Sequence, residues 1–387
     1  MKEPSTAPRY RWVVLFVSLY AFVAFAFAFQ LVPPLLSSVI HEFGVSHAQA
    51  GLLMSMVVIP GIFLAIPAGI LVDRYGVRLT GSISTVLIAI GCFVTAIAGS
   101  FEAALVGRLI LGVGSAFITT AMPALIPQWF PREELGKAMG IFGINMPLAS
   151  VAAFSSASVL TLTLGWRFPF YIGTAIAALN AIVFPILVRE GPFRREHGPV
   201  GRQALRSVEA WKVGVTWLLF NGAALSFTTW SPKVFEDFRG MNPVQASLLA
   251  SILMLAAIPC TPLFGSISDR IGRRRPLMVI GSTLMAGALV AVAYAPDAAL
   301  RVSIVALGVV AAMVPPMVMA LPPEILGPAQ AGTGFGIITI CLNTGIAVTS
   351  PLIGLLLDTT GSPTMSFLGM ALFAAAGAAV AYTLKTK

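Results

Sequence analysis

Charge is what this sequence most lacks. Of its 387 residues, 10% are Asp, Glu, Lys or Arg and 57% are hydrophobic. A soluble domain carries about 25% charged residues, so water is not the main solvent of this surface. No polar stretch approaches the length of a separate soluble domain. Cysteine is scarce too: Cys92, Cys260 and Cys341 all lie in apolar surroundings, as small buried hydrophobes rather than a disulfide or metal framework. The three histidines, His41, His47 and His197, fall in connecting segments. There is no metal-ligand cluster, nucleotide loop, nucleophile elbow or convergent acid–base pair, so neither enzyme chemistry nor a cofactor or metal is expected. Acids are missing from the centre of every apolar run, since Glu102, Asp297, Glu324 and Asp358 lie at the ends.

What is present is a succession of apolar runs, each of the roughly 20 residues a helix needs to cross a bilayer. Twelve can be marked, at approximately 12–36, 47–72, 77–98, 102–126, 136–160, 166–189, 212–235, 243–268, 276–295, 299–323, 331–356 and 363–384. The first is too long for a signal-peptide core and lacks a cleavage site, so it is read as a membrane helix. The polar stretch 190–211 divides the chain into an N-terminal half, 1–189, and a C-terminal half, 212–387. The expected class is all-α integral membrane, twelve transmembrane helices in two six-helix bundles.

The net charge of +9 invites a nucleic-acid reading, but its distribution opposes one. With the N-terminus inside, the outer ends hold only Arg167, Lys233, Arg239 and Arg301. The remaining basic residues outside the membrane fall at inner ends. That is the positive-inside pattern, with both termini cytoplasmic. The partners expected are a lipid bilayer, a small-molecule solute and a coupling ion such as the proton, with the chain acting as a monomer and binding no nucleic acid.

An internal repeat supports the two halves. A shift of 196, the separation of Asp73 and Asp269, lays Asp73-Arg74-x-Gly76 on Asp269-Arg270-x-Gly272 and Gly69 on Gly265. The same shift aligns the run from Gln49 to Ser55 with that from Gln245 to Ser251, and Ala124, Leu125 and Pro127 with Ala320, Leu321 and Pro323. One register serves separate regions without gaps.

The duplicated turns read Gly69-x3-Asp73-Arg74-x-Gly76-x-Arg78 and Gly265-x3-Asp269-Arg270-x-Gly272-Arg273-Arg274. Gly69 and Gly265 are expected to let a neighbouring helix approach closely. Gly76 and Gly272 permit tight turns, and the carboxylates can pair with arginine or sit at a helix N-terminus. Such turns can latch one conformation; anchoring of helix ends by charge is the blander alternative. They resemble the GxxxD(R/K)xGR(R/K) signature of the major facilitator superfamily. The resemblance covers the whole chain and implies two pseudo-symmetric bundles about a central cavity near the bilayer midplane.

Arg108 is the strongest candidate for solute contact. It lies in the fourth run, in Arg108-x3-Gly112-x-Gly114, with Ser115 and Thr119 on the same face, a segment that resembles the family's RxxxGxG pattern. An intramembrane arginine normally faces a cavity or a partner. Two readings stand: a structural arginine held by backbone carbonyls, or a group that attracts solute or couples protons. Gln30, Phe29, Trp217, Asn221, Thr228, Asn145 and Asn343 are the further candidates. In family members the first, fourth, seventh and tenth helices line the cavity. Each buried amide could instead be interhelical glue, and each aromatic could be packing. Pro33-Pro34 and Pro315-Pro316 remove backbone donors and loosen their helices.

A lone arginine without membrane-depth acids favours an anionic or polar solute. The glycine-rich fifth run departs from the GPxxGG ending of family antiporters, which argues against drug–proton antiport. Asn221-Gly222-x3-Ser226-x3-Trp230-x-Pro232 and Ala121-Met122-Pro123-Ala124 resemble the bacterial cyanate and 2-nitroimidazole branch. The nitrate/nitrite branch is a poorer match, because its arginines in the second and eighth helices are missing. The expectation is an alternating-access secondary transporter of a small anionic or polar organic solute in the cytoplasmic membrane. A proton-coupled multidrug or sugar carrier is the alternative, followed by a non-transporting receptor.

Overall fold

The computed structural model describes residues 7–192, 205–327 and 330–385. Among these the chain is helical throughout, without a β-strand. The first span is α1 (Ala7–Gln30), a 3-10 turn (Pro33–Leu35) and α2 (Leu36–Phe43). Then come α3 (His47–Tyr75), α4 (Val77–Ala96), α5 (Phe101–Trp129), α6 (Arg132–Phe142), α7 (Asn145–Leu164) and α8 (Phe168–Leu187). The second half holds α9 (Val208–Arg239), α10 (Pro243–Ile271), α11 (Arg274–Tyr294), α12 (Asp297–Ala311), α13 (Val314–Leu326), α14 (Ala331–Thr360) and α15 (Pro363–Tyr382). Most of the 190–211 stretch, residues 193–204, lies outside the described residues.

Among the described residues, eleven helical runs are long and apolar enough to cross a membrane. The remaining span, α9, has 32 residues and is more polar, carrying Asn221, Ser226, Thr228, Thr229 and Ser231 in its buried stretch. Helix starts repeat with the sequence. Ser46 and Gln49 form a capping box on α3, and the side chain of Asn242 accepts from the Gln245 backbone at the start of α10. These are positions related by 196, and each cap satisfies a backbone donor that would otherwise be orphaned.

Three spans are broken, and the breaks do not repeat. The first is interrupted at Leu31–Val32, the fifth at Gly143–Ile144 and the tenth at Ala312–Met313. Pro33 and Pro34 lack the N–H groups that would continue α1 onto the carbonyls of Phe29 and Gln30. Pro315 sits at the start of α13, where a missing N–H costs little. The same three places, shifted by 196, fall inside the continuous helices α9, α14 and α5.

Glycines set the tightest crossings within the N-terminal half. A Cβ on Gly91 would lie 2.4 Å from the Leu111 nitrogen, and one on Gly112 would lie 2.5 Å from the Val57 carbonyl oxygen. Backbones in α4, α5 and α3 therefore touch directly, which maximises van der Waals contact where lipid offers no hydrophobic gain.

Between the halves, α3 packs on α14 and α7 on α10. The contacts gather at the end bearing His47. The Asp358 carboxylate accepts from the backbone of His47 (3.0 Å) and Ala48 (2.8 Å) and meets His47 Nδ1 at 2.7 Å. Ser55 Oγ donates to the Ala347 carbonyl (2.7 Å), Ser158 Oγ to Ser247 Oγ (2.6 Å), and Ser37 Oγ to Glu236. Gly51 fits against the Pro351 backbone and Gly354 against the His47 carbonyl. The two seams are themselves related by the repeat: Gly51 corresponds to Ser247 and Gly354 to Ser158.

At the other end, that of the Asp-Arg turns, the halves part. The side chains of the turns bond within their own halves: Arg78 to Pro185, Arg274 to Asp269 and Glu324, and Arg74 over Tyr75. This corrects one expectation. A Cβ on Gly69 would meet nothing nearer than Thr120 at 3.9 Å, and one on Gly265 nothing nearer than Pro316 at 3.6 Å. The close approach expected at these glycines is not made in an arrangement that is open at their end.

Candidate functional site

Arg108 belongs to α5 and has 0% of its surface exposed. Its Nε donates to the Leu53 carbonyl (3.0 Å), Nη1 to Ala28 (2.8 Å) and Nη2 to Phe29 (3.1 Å). The guanidinium also stands over the Phe29 ring at 5.9 Å. Phe29 is four residues before Pro33, so its carbonyl has lost its helical donor and Arg108 supplies one. The last carbonyls of α1 are unsatisfied groups at the negative pole of that helix. A cation placed there is compensated without a carboxylate. Of the two readings of Arg108, this conformation displays the structural one. Direct solute contact is not available to it here, because the side chain is fully buried and bonded to carbonyls of α1 and α3.

The other candidates divide between the halves. Gln30 is buried and its Nε2 donates to Ser150 Oγ (2.7 Å), which ties the broken end of α1 to α7, while its Oε1 has no partner among the described residues. Asn145 opens α7 and donates to the Phe142 carbonyl (2.6 Å). That carbonyl is left free by the break between α6 and α7. Phe142 in turn packs edge-on against Phe22 of α1.

On α9, Asn221 donates to Trp217 (2.8 Å) and Thr228 to Ala224 (2.9 Å), both one turn back. The Trp217 ring stacks on Phe220 at 5.3 Å, and its Nε1 is a buried donor with no partner among the described residues. Asn343 of α14 is half-buried, and its amide lies where a Cβ on Gly61 of α3 would be, at 2.3 Å. It therefore sits on the seam between halves, at its inner limit. The structure brings Arg108 to Phe29 and Asn221 to Trp217. It does not gather all eight candidates around one enclosed space.

The two turns are built differently, although they repeat in sequence. In the second, Asp269 and Glu324 both hold Arg274, at 2.8 and 2.9 Å, and Ser268 adds a further acceptor at 2.9 Å. In the first, the side chain of Asp73 is outside what is described. Arg78, which corresponds to Arg274, donates through Nε to the Pro185 carbonyl (2.9 Å), and its backbone N–H meets Glu190 Oε1 (3.0 Å). Gln128, which corresponds to Glu324, accepts from the backbone of Gly191 (3.1 Å). The start of the inter-half stretch thus fills the place that a direct acid–arginine pair takes in the second half. Arg74 stands over the Tyr75 ring at 5.4 Å, and Arg270 and Arg273 are exposed. Gly76 and Gly272 take the left-handed φ of +85° and +68° that their turns require.

The sequence reading missed the seam groups at the other end: Asp358, Glu236, Ser37 and the Ser158–Ser247 pair. The only signal available was their place at helix ends facing the opposite half, which hydropathy does not reveal.

Comparison with known proteins bears on this geometry. The Major Facilitator Superfamily profile matches residues 18–242 and 215–387. A probable nitrate/nitrite antiporter of Thermus thermophilus is 28% identical over 281 residues, 68% of this chain and 62% of that protein. The match therefore spans less than two thirds of that relative. A probable sulfoacetate transporter of Cupriavidus necator is 25% identical over 361 residues, 84% of this chain and 83% of that protein. Among solved structures, a D-xylose–proton symporter superposes with a TM-score of 0.80 at 18% identity, covering 97% of this chain and 98% of that one; it shares the fold. Likeness to a nitrate/nitrite carrier emerges despite the missing arginines that had counted against that branch.

Proposed function

The chain belongs to the major facilitator superfamily, and from that premise we propose that it is an alternating-access secondary transporter of a small anion. The observation that carries this reading is the one-ended seam. Two bundles joined by side-chain contacts at the His47 end, with the Asp-Arg turns bonded within their own halves, are what one end state of an alternating-access carrier requires. The bundles are residues 1–189 and 212–387, with both termini and both turns on the cytoplasmic face of the cytoplasmic membrane. The arrangement is then inward-facing.

Support for an anion comes from two sources. The relatives above are named for nitrate, nitrite and sulfoacetate, all anions. Within the chain, Arg108 has no carboxylate partner among the described residues, so its charge is offset only by dipoles and leaves a positive field in a region of low dielectric. Gln30, Phe29 and Asn145 would face the solute from one half, and Trp217, Asn221, Thr228 and Asn343 from the other. Arg108 would act from behind Phe29 rather than by touching the solute. Only a difference in affinity between the two states lets solute drive the interchange.

Uptake by proteoliposomes tests the reading. Saturable uptake of nitrate, nitrite or sulfoacetate is expected, with none of xylose or of a lipophilic cation. Uptake of the sugar or the cation in place of every anion would overturn it.

A further inference from the structure

Glu236 stands apart from the other acids at the closed end. It lies one residue beyond the apolar run 212–235, near the end of α9, and is half-buried. Its partner is the Ser37 hydroxyl on α2 of the opposite half. A serine hydroxyl can donate to a carboxylate or accept from a carboxylic acid, so this contact accommodates either protonation state.

The charges around it are committed elsewhere. On α9 itself, Lys233 is bound to Asp237 at 2.5 Å, and Arg239 to Asp297 of α12 at 2.7 Å. On α2, Glu42 is bound to Arg167 at 2.9 Å, and His41 lies one turn beyond Ser37. The 3-10 turn Pro33–Leu35 that packs on α9 has no titratable group. Neither α7 nor the facing part of α10 carries a charge, and α15 begins without one. The Asp358 carboxylate of α14 is occupied by the first turn of α3. Every other acid named here has a cation or helix-end donors as partner; Glu236 has a hydroxyl.

We infer that Glu236 is a proton-binding site on the outer seam, filled from the external water and favouring closure of that side. This rests on the transporter reading above, which gives the seam an open state. Closing the seam withdraws the carboxylate from water and so favours its protonated form. Burial raises the Glu236 pKa from its ordinary value, while the Ser37 hydrogen bond and Lys233 lower it and Asp237 raises it. When the halves part, water reaches the carboxylate and the raising influence is lost. The closed state therefore binds the proton more tightly than the open one. Its extra stability is fully present below the open-state pKa and disappears as pH rises through the closed-state pKa. The proton comes from external water and returns there on reopening, so it biases the cycle toward the inward-facing state without crossing the membrane. By linkage, closure and proton binding strengthen each other by the same factor.

Spin labels at Leu164 and Tyr294, exposed at this end of opposite halves, report the separation. They are introduced with the partly exposed Cys260 replaced by alanine. Between pH 8 and pH 5 the ratio of short to long distances is expected to rise about fivefold. Glu236→Gln, an uncharged mimic of the acid, should hold the pH 5 distribution at both pH values, and Asp237→Asn should still titrate. A Glu236→Gln chain that titrates like the unmodified one overturns the inference, as does lengthening on acidification. Anion uptake assayed on the same preparations separates the two claims. Titration without uptake defeats the solute reading alone, and uptake without titration defeats the proton site alone.

Discussion

Arg108 and Asp358 bring opposite charges to opposite helix poles. Arg108 sits at the carbonyl end of α1 and Asp358 at the amide end of α3, each where the macrodipole favours its sign. The consequences differ because one contact lies within a half and the other crosses between halves. Replacing Arg108 with methionine leaves the carbonyls of Ala28 and Phe29 without donors inside the bundle. Thermal unfolding should show a loss of about 3 kcal/mol, with or without solute. A chain of unchanged stability that merely fails to bind anion would restore the direct-contact role. Asp358→Asn should leave unfolding almost untouched and weaken the outer seam. Its side chain is 23% exposed, so screening limits the effect to about 1 kcal/mol, or roughly a fivefold shift toward the open state. Labelling of a cysteine at Ser55 by an external, membrane-impermeant thiol reagent would measure that shift.

At the scale of helices, glycine placement separates packing from gating. Gly112 cannot accept a methyl group without displacing the α3 backbone, so Gly112→Ala should cost about 2 kcal/mol, whereas Gly99→Ala, with nothing within 4 Å, should be neutral. Denaturation midpoints would distinguish them. Gly69 and Gly265 have room in the present arrangement, which marks them for the opposite one. Gly69→Leu should therefore fold normally and accumulate inward-facing chains, seen as longer distances between labels on the two cytoplasmic turns. Unchanged distances would remove Gly69 from the gate.

The sequence displayed the spans well, because a bilayer demands about 20 apolar residues and short turns between them. It displayed the duplicated turns through one register, and the caps at Ser46 and Asn242 proved to share that register. Pro33-Pro34 and Pro315-Pro316 marked two of the three breaks, and the third was visible only as a glycine-rich run. What it could not display was which neighbour each polar group had found. The face that holds Arg108 was legible, but the carbonyls that satisfy it lie 55, 79 and 80 residues away in sequence. Asp358 looked like an ordinary helix-end acid, and Glu236 drew no reading at all, because their partners belong to the other half.

For the whole molecule, two halves that repeat in sequence are joined at seams that one register relates. Closure at one end and parting at the other is what a carrier needs in one of its two states. The Ser158–Ser247 contact offers a direct means of holding it there. Its hydroxyl oxygens are 2.6 Å apart, so cysteines at the same positions would bring their sulfur atoms face to face for oxidation. A Ser158→Cys, Ser247→Cys chain in proteoliposomes should take up anion when reduced, stop when oxidised, and resume on reduction, while either single substitution transports under both conditions. Undiminished transport with the cross-link fully formed would contradict alternating access through this seam.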